Sequence, residues 1–379
     1  MTDSPLYRRK REIETERRAV PLAFDELERA ALERLSPDAE AYVTASAGAG
    51  ETASANRAAF DRFRIVPRVL RDVSDRTLSV ELFGETFPYP LMLAPVGGQT
   101  KYHEDGELAT VRGAADADVP FAVSTASAHT IEAIADERDD ATLLFQLYCT
   151  PDREETTELV RRAERAGYAG ILLTVDFQVP RWAPETAAST NDRLYESTLA
   201  NVNSDSDDEG TDATSDQLPR DESMTWDDLA FLTAATDLPI YLKGVVHPDD
   251  ARLAVEHGMD GVVVSNHGGR QIDGSIAALT ALTDVVDAVD GAVPVLFDSG
   301  VRGGADVFKA VALGADAAFI GRPYVYGLTL AGERGVYEVT HNVLAELDSV
   351  LGLSGHDSIA DVDRSALVDA DERGNSLAR

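Results

Sequence analysis

The feature that most constrains this chain is a recurrence. Eight short runs of continuous apolar residues, each closed by polar residues or glycine, are spaced so that a helix fits between neighbours. They are PLMLAPV (90–96), PFAVST (120–125), TLLFQLY (142–148), GILLTVD (170–176), PIYLKGV (239–245), GVVVSNH (261–267), PVLFDSG (294–300) and AAFIGRP (317–323). Unbroken rather than alternating apolar character suits parallel strands buried on both faces. Amphipathic segments such as REETTELVRRAERAG and DDARLAVEHG lie between the runs, the second closed by Gly258. Strand and helix alternating eight times predict a (β/α)8 barrel in the α/β class. A doubly wound open sheet is the rival, and the lack of a glycine fingerprint after the first run argues against it. The AGAGE cluster at 47–51 follows no strand and carries no weight as a nucleotide site.

This reading divides the chain into three parts. Residues 1–89 form an N-terminal extension, with two short helices in AFDELERAALERLSPDAEAYV and then an extended stretch, packed on the barrel. Residues 90–353 form the barrel, and 354–379 form a C-terminal tail. A long loop at 184–223 follows the fourth strand and contains NSDSDDEGTDATSDQ, acidic and poor in apolar residues. It is expected to be mobile.

Composition narrows the setting. The formal charge is −33, and four of the 34 basic residues are lysine: Lys10, Lys101, Lys243 and Lys309. So acidic a surface repels nucleic acid and anionic lipid, and salt relieves its self-repulsion, which fits a protein adapted to high internal salt. The sole cysteine, Cys149, excludes an intrachain disulfide. The charged N-terminus has no signal-peptide core, and no apolar run reaches the roughly 20 residues that span a bilayer. A soluble cytoplasmic protein is expected.

In a barrel of this kind the active site lies at the C-terminal ends of the strands. Those ends here carry Ser124, Gln146, Tyr148, Thr174, Asp176, Lys243, His267 with Arg270, Asp298 and Arg322. Each alone could be an ordinary loop residue; together they are a candidate site. The last two strands end in DSGVRGGADV and IGRP. Gly300, Gly303, Gly304 and Gly321 permit close backbone approach, Arg302 and Arg322 add charge, and a helix starting near Ala305 offers N–H groups. A phosphate site is expected there. His103, His129 and His257 lack metal-ligand spacing, so no metal is expected. Cys149 reads as a packing residue and Trp226 as a helix-start packing residue.

The segments LFQLY, LKGV, GVVVSNHGGRQID and VLFDSGVRGGADVFKAVALGADAAFIGRP resemble the FMN-dependent L-2-hydroxy acid oxidase and dehydrogenase family, over about Pro37 to Leu353. Glycolate oxidase, lactate oxidase, lactate 2-monooxygenase and mandelate dehydrogenase belong to it. AYVTASAGAGE, NRAAFDRFRIVPRVLRDVS and STASAHTIE are most similar to the lactate 2-monooxygenase branch. The resemblance implies FMN as cofactor, a small L-2-hydroxy acid such as lactate as substrate, molecular oxygen as acceptor, and a homo-oligomer of four or eight barrels.

It also implies roles. His267 is the base that takes the hydroxyl proton as the Cα hydrogen leaves for the flavin, and Asp176 orients it. Arg270, Tyr42 and Tyr148 hold the substrate. Ala94, Pro95 and Val96 lie against the flavin ring, and Ser124, Gln146 and Thr174 contact its polar edge. Lys243 stabilises charge on the reduced ring. Asp298, Gly300, Arg302, Gly321 and Arg322 reach the ribityl chain and phosphate. Two positions depart from the pattern. Ala183 stands where the family commonly has a second carboxylate-binding arginine, which leaves nearby Arg181 as a candidate. Ala126 replaces the aromatic ring of glycolate-oxidising members, and Gly97 and Gly98 are expected to leave space over the flavin. That space would favour oxidative decarboxylation of the keto acid. A dehydrogenase using another electron acceptor, an FMN-dependent isomerase on the same fold and a flavin-binding protein without activity are the alternatives.

Overall fold

The structure, a computed structural model, describes residues 4–15, 17–180, 200–201 and 220–370. Four helices come first: α1 (Pro5–Thr15), α2 (Phe24–Leu32), α3 (Pro37–Thr44) and α4 (Glu51–Arg62). They lead into β1 (Phe63–Ile65) and a hairpin, β2 (Val80–Leu82) and β3 (Glu85–Phe87). The barrel then runs β4 (Leu91–Leu93), α5 (Gly106–Asp116), β5 (Phe121–Ser124), α6 (Ile131–Glu137), β6 (Leu143–Leu147), α7 (Arg153–Arg165) and β7 (Gly170–Thr174). It continues with α8 (Leu229–Thr233), β8 (Ile240–Val245), α9 (Pro248–Glu256), β9 (Gly261–Val264), α10 (Ala278–Val289), β10 (Val295–Phe297), α11 (Gly304–Ala312) and β11 (Ala317–Ile320). A long helical segment, α12 (Arg322–Ser354), bends at Ala331–Gly332, and β12 (Leu367–Asp369) ends the order.

All eight apolar runs become strands of one closed parallel barrel, in the order β4-β5-β6-β7-β8-β9-β10-β11 and back to β4. Their continuous apolar character follows from burial on two sides. One cluster (Met92, Ala122, Leu144, Leu172, Tyr241, Val263, Leu296, Phe319) fills the barrel, and a larger one packs the strands against the helices. Leu82 and Phe87 of the β2–β3 hairpin join the inner cluster, and the Phe83 ring lies 4.9 Å from that of Tyr241. The hairpin therefore plugs one mouth, leaving the C-terminal ends of the strands for chemistry. Its two-residue turn has positive φ at both Phe83 (54°) and Gly84 (78°), matching the twist of the paired strands.

Residues 355–370 are built into the fold. Ile359, Val362 and Ala366 are buried, and β12 pairs antiparallel with β1. Three apolar anchors spaced among polar residues give little sequence signal, which is why this part reads as a tail. The N-terminal extension likewise holds four helices. The acidic loop, with Arg181, Trp182 and Ala183, lies outside the described residues except at 200–201 and 220–223. Asn201 is buried there: its side chain accepts from the Ile131 N–H (2.9 Å) and donates to Ser127 Oγ (2.8 Å). Among the described residues no helix is long and apolar enough to cross a membrane.

The extension positions the strand-end loops. Asp273 accepts from the N–H groups of Ala49 (2.6 Å) and Thr52 (3.2 Å), so the AGAGE segment is a docked helix start. Asn56 on α4 and Asn266 after β9 exchange amide hydrogen bonds at 2.7 and 2.8 Å, and Asn56 Oδ1 also accepts from the Ala278 N–H. Asn56→Ala leaves these buried groups unpaired, at about 1–3 kcal/mol each. Thermal unfolding should show a Tm lower by several degrees; an unchanged Tm would mean that this junction does not hold the loop.

Candidate active site

The loop after β9 is the organising element. His267, Gly268 and Gly269 all have left-handed φ (58°, 68° and 77°), a conformation that is uncommon outside glycine and costs a histidine energy. Ser299 Oγ compensates by accepting from the N–H groups of Asn266 (3.2 Å) and Gly268 (3.0 Å). At Gly269 a Cβ would lie 2.5 Å from the backbone nitrogen of Ala53, so α4 can pack there against glycine alone. The turn presents His267 and Arg270 to one cleft, which Tyr42, Tyr148, Lys243 and Arg302 also line.

His267 Nδ1 is 3.0 Å from Asp176 Oδ1. With that edge engaged, Nε2 is the edge presented to a ligand in the cleft. The approach of Asp176 depends on Gly244: a Cβ there would sit 2.6 Å from the Asp176 Cβ, and the β8–β9 register slips at this residue. The sequence reading passed over Gly244, although a glycine directly after Lys243 inside a strand is a bulge signal. Arg270 is fixed by the carbonyls of Tyr42 (2.9 Å) and Ala45 (3.2 Å) and stacks 5.0 Å from the Tyr42 ring centroid. Tyr42, Tyr148, His267 and Arg270 all border the cleft.

A polar row crosses the adjacent strand ends. Ser124 Oγ donates to Gln146 Oε1 (3.1 Å), and Gln146 Nε2 donates to Thr174 Oγ1 (3.0 Å). Ser124 reaches the cleft, whereas Gln146 and Thr174 stand behind it. Lys243 Nζ, buried, lies 2.9 Å from both Asp298 Oδ2 and Ser265 Oγ. Burial pulls its pKa down, and the carboxylates of Asp298 and Asp176 more than offset this, so it stays charged. Burial pushes Asp298 upward, but Lys243 and neighbouring hydroxyls hold it below the usual carboxylate range. This cation, across the cleft from Ala94, Pro95 and Val96, suits the electron-rich edge of a reduced flavin.

The cleft is also lined by Gly300, Arg302, Gly321 and Arg322. Among the described residues neither arginine has a carboxylate salt-bridge partner. Burial, Arg322 and Arg57 together lower Arg302 to about 10, against smaller opposing pulls from Tyr326 and Glu28. A phosphate fits that environment. One expectation is corrected: the N–H groups at the start of α11 are not available to it, because Glu346 accepts from Gly304 (2.8 Å) and Ala305 (3.3 Å). The arginines and the Gly321–Arg322 start of α12 are left to hold the phosphate. A second correction concerns space over the ring. A Cβ on Gly97 would meet Ala126 Cβ at 2.9 Å, so Gly97 permits close packing of two loops rather than opening room above a flavin.

Position 181 lies outside the described residues, but another arginine packs against rings that border the cleft. The Arg220 guanidinium sits 3.7 Å from the Phe177 ring centroid and 5.9 Å from that of Tyr148, and both rings border the cleft. No motif signals it, because it follows the acidic stretch. Cys149 is buried with its pKa pushed up to about 12 by desolvation, and Trp226 stacks on His257 at 5.6 Å; both are packing residues. His129 pairs with the buried Glu107 at 3.0 Å.

A cation-lined cleft with a histidine–aspartate pair at the C-terminal mouth of a parallel barrel suits a flavin-type oxidoreductase site. Comparison with known proteins agrees. The FMN-dependent dehydrogenase family model matches residues 31–369. The L-lactate oxidase of Lysinibacillus sphaericus is 40% identical over 365 residues, covering 93% of this chain and 94% of the relative. The 4-hydroxymandelate oxidase of Amycolatopsis orientalis is 37% identical over 353 residues, covering 89% and 96%. A solved mandelate oxidase with (S)-2-phenylpropionate superposes with a TM-score of 0.82 at 36% identity, covering 92% of this chain and 98% of that one. The chain belongs to the FMN-dependent dehydrogenase family, its cofactor is FMN, and it is an FMN-dependent 2-hydroxy acid oxidoreductase.

If Arg302 holds the phosphate, Arg302→Ala should weaken FMN about 10–100-fold, the worth of one or two charge-assisted hydrogen bonds, and leave riboflavin unaffected. Quenching of flavin fluorescence on binding measures both. Equal losses for the two flavins would place Arg302 elsewhere.

Proposed function

We propose that this protein is an oxidase of small L-2-hydroxy acids, lactate foremost, with oxygen as acceptor. The observation that carries the reading is the His267–Asp176 contact of 3.0 Å, with Arg270 on the same turn and cleft. Asp176 accepts from Nδ1–H, which fixes the tautomer with a lone pair on Nε2, and then stabilises the imidazolium that forms. Nε2 accepts the substrate hydroxyl proton while Arg270 and Tyr42 hold the carboxylate and Tyr148 the hydroxyl oxygen. FMN, held with its phosphate toward Arg302 and its ring edge toward Lys243, would supply the two-electron oxidant for the Cα–H bond, with oxygen as the terminal acceptor yielding hydrogen peroxide. Lys243 stabilises the negative charge that collects at the ring edge. Arg220 supplies, through its stack on Phe177, the positive charge that Ala183 does not.

Anaerobic L-lactate should bleach the flavin bands of the wild type, and His267→Gln should slow bleaching by about 10²–10⁴-fold. Bleaching at the wild-type rate would remove His267 as the base. On admitting air, pyruvate with peroxide marks the oxidase, acetate the decarboxylating branch, and slow recovery of colour a dehydrogenase. Arg220→Met should raise KM for lactate about tenfold with FMN affinity unchanged, the loss expected for one charged contact; an unchanged KM removes Arg220 from substrate binding.

A further inference from the structure

The 3-10 turn Gln99–Lys101 after β4 ends at Tyr102, a residue 6% exposed that borders the cleft. Its hydroxyl has no hydrogen-bond partner among the described residues. A buried hydroxyl left in that condition is destabilising, so its persistence needs a reason. Burial drives its pKa well above the usual phenol value, and the charges of Arg270 and Arg322 act on it as a positive field. The phenol thus keeps its proton, and a guanidinium carries no lone pair to receive it. The same turn sets Lys101 Nζ 5.5 Å from the Tyr42 ring centroid, on the tyrosine whose ring also stacks with Arg270. A donor without an acceptor, in a positive field, beside the proposed carboxylate grip, is a site built for an anionic oxygen.

We propose that Tyr102 is a binding and specificity-determining residue that donates its phenolic hydrogen to the substrate carboxylate, alongside Arg270 and Tyr42. This rests on reading the cleft as a hydroxy acid site. The phenol selects for substrates whose carboxylate reaches the α3 side of the cleft, and it does no proton transfer.

Oxalate, which carries carboxylates but no Cα hydrogen, tests this with the FMN-loaded protein, its binding read from the shift of the flavin bands. Tyr102→Phe should raise the oxalate Kd about tenfold and leave FMN affinity unchanged. The Tm without oxalate should hold or rise, because the variant removes an unsatisfied polar group. An oxalate Kd within twofold of wild type overturns the proposal. So does a failure of oxalate to shift the bands of the wild type, or a loss that falls on FMN instead. Should L-lactate fail to bleach the wild type while oxalate still separates the two proteins, the hydroxy acid reading falls and the role of Tyr102 as an anion donor stands.

Discussion

The reciprocal amide pair between Asn56 and Asn266 is the contact on which the site depends. It joins the N-terminal extension to the one loop that bends through three left-handed residues, and Asn266 Oδ1 accepts in turn from the Gly269 N–H at 3.1 Å. Without an anchor, a histidine at positive φ would relax toward ordinary backbone conformations and carry its ring away from Asp176. The extension therefore completes the barrel's chemistry: α4 fixes the His267 turn, and α3 brings Tyr42 and its carbonyls to Arg270 and Arg322. Catalytic geometry is thus held largely by a helix outside the barrel, with the Gly244 bulge between β8 and β9 making room for Asp176.

Much of this was legible in the residues. The eight apolar runs announce the barrel because parallel strands buried on both faces leave an unmistakable continuous pattern. SNHGGRQ and DSGVRGG announce the site because glycine beside charge at a strand end has few packing explanations. What escaped was what depends on distant partners. The β2–β3 hairpin turns at Phe83–Gly84, not at an Asn-Gly signal. Glu346, 42 residues beyond Gly304, caps α11 and takes the N–H groups assigned to phosphate. Gly244 looks like any strand glycine until Asp176 is seen pressed against it. Spacing along the chain carries local geometry, and these contacts are not local.

Electrostatics gives the same structure a second logic. The chain carries −33 overall, yet the residues lining its cleft include Lys243, Arg270, Arg302 and Arg322 against one carboxylate, Asp298, which Lys243 already neutralises. Low-dielectric walls keep that local field from being screened as exposed charge would be, so the cleft attracts anions that the surface repels. On the proposed reading the work is divided: Arg302 holds a phosphate, which stays, while Arg270 and Tyr102 hold a carboxylate, which must leave. Hydrogen-bond donors such as a phenol suit the second task better than another guanidinium, because they add direction without adding a charge whose release would slow turnover. An acidic exterior around a cationic cleft thus confines anion binding to the place where the histidine–aspartate pair can act on it.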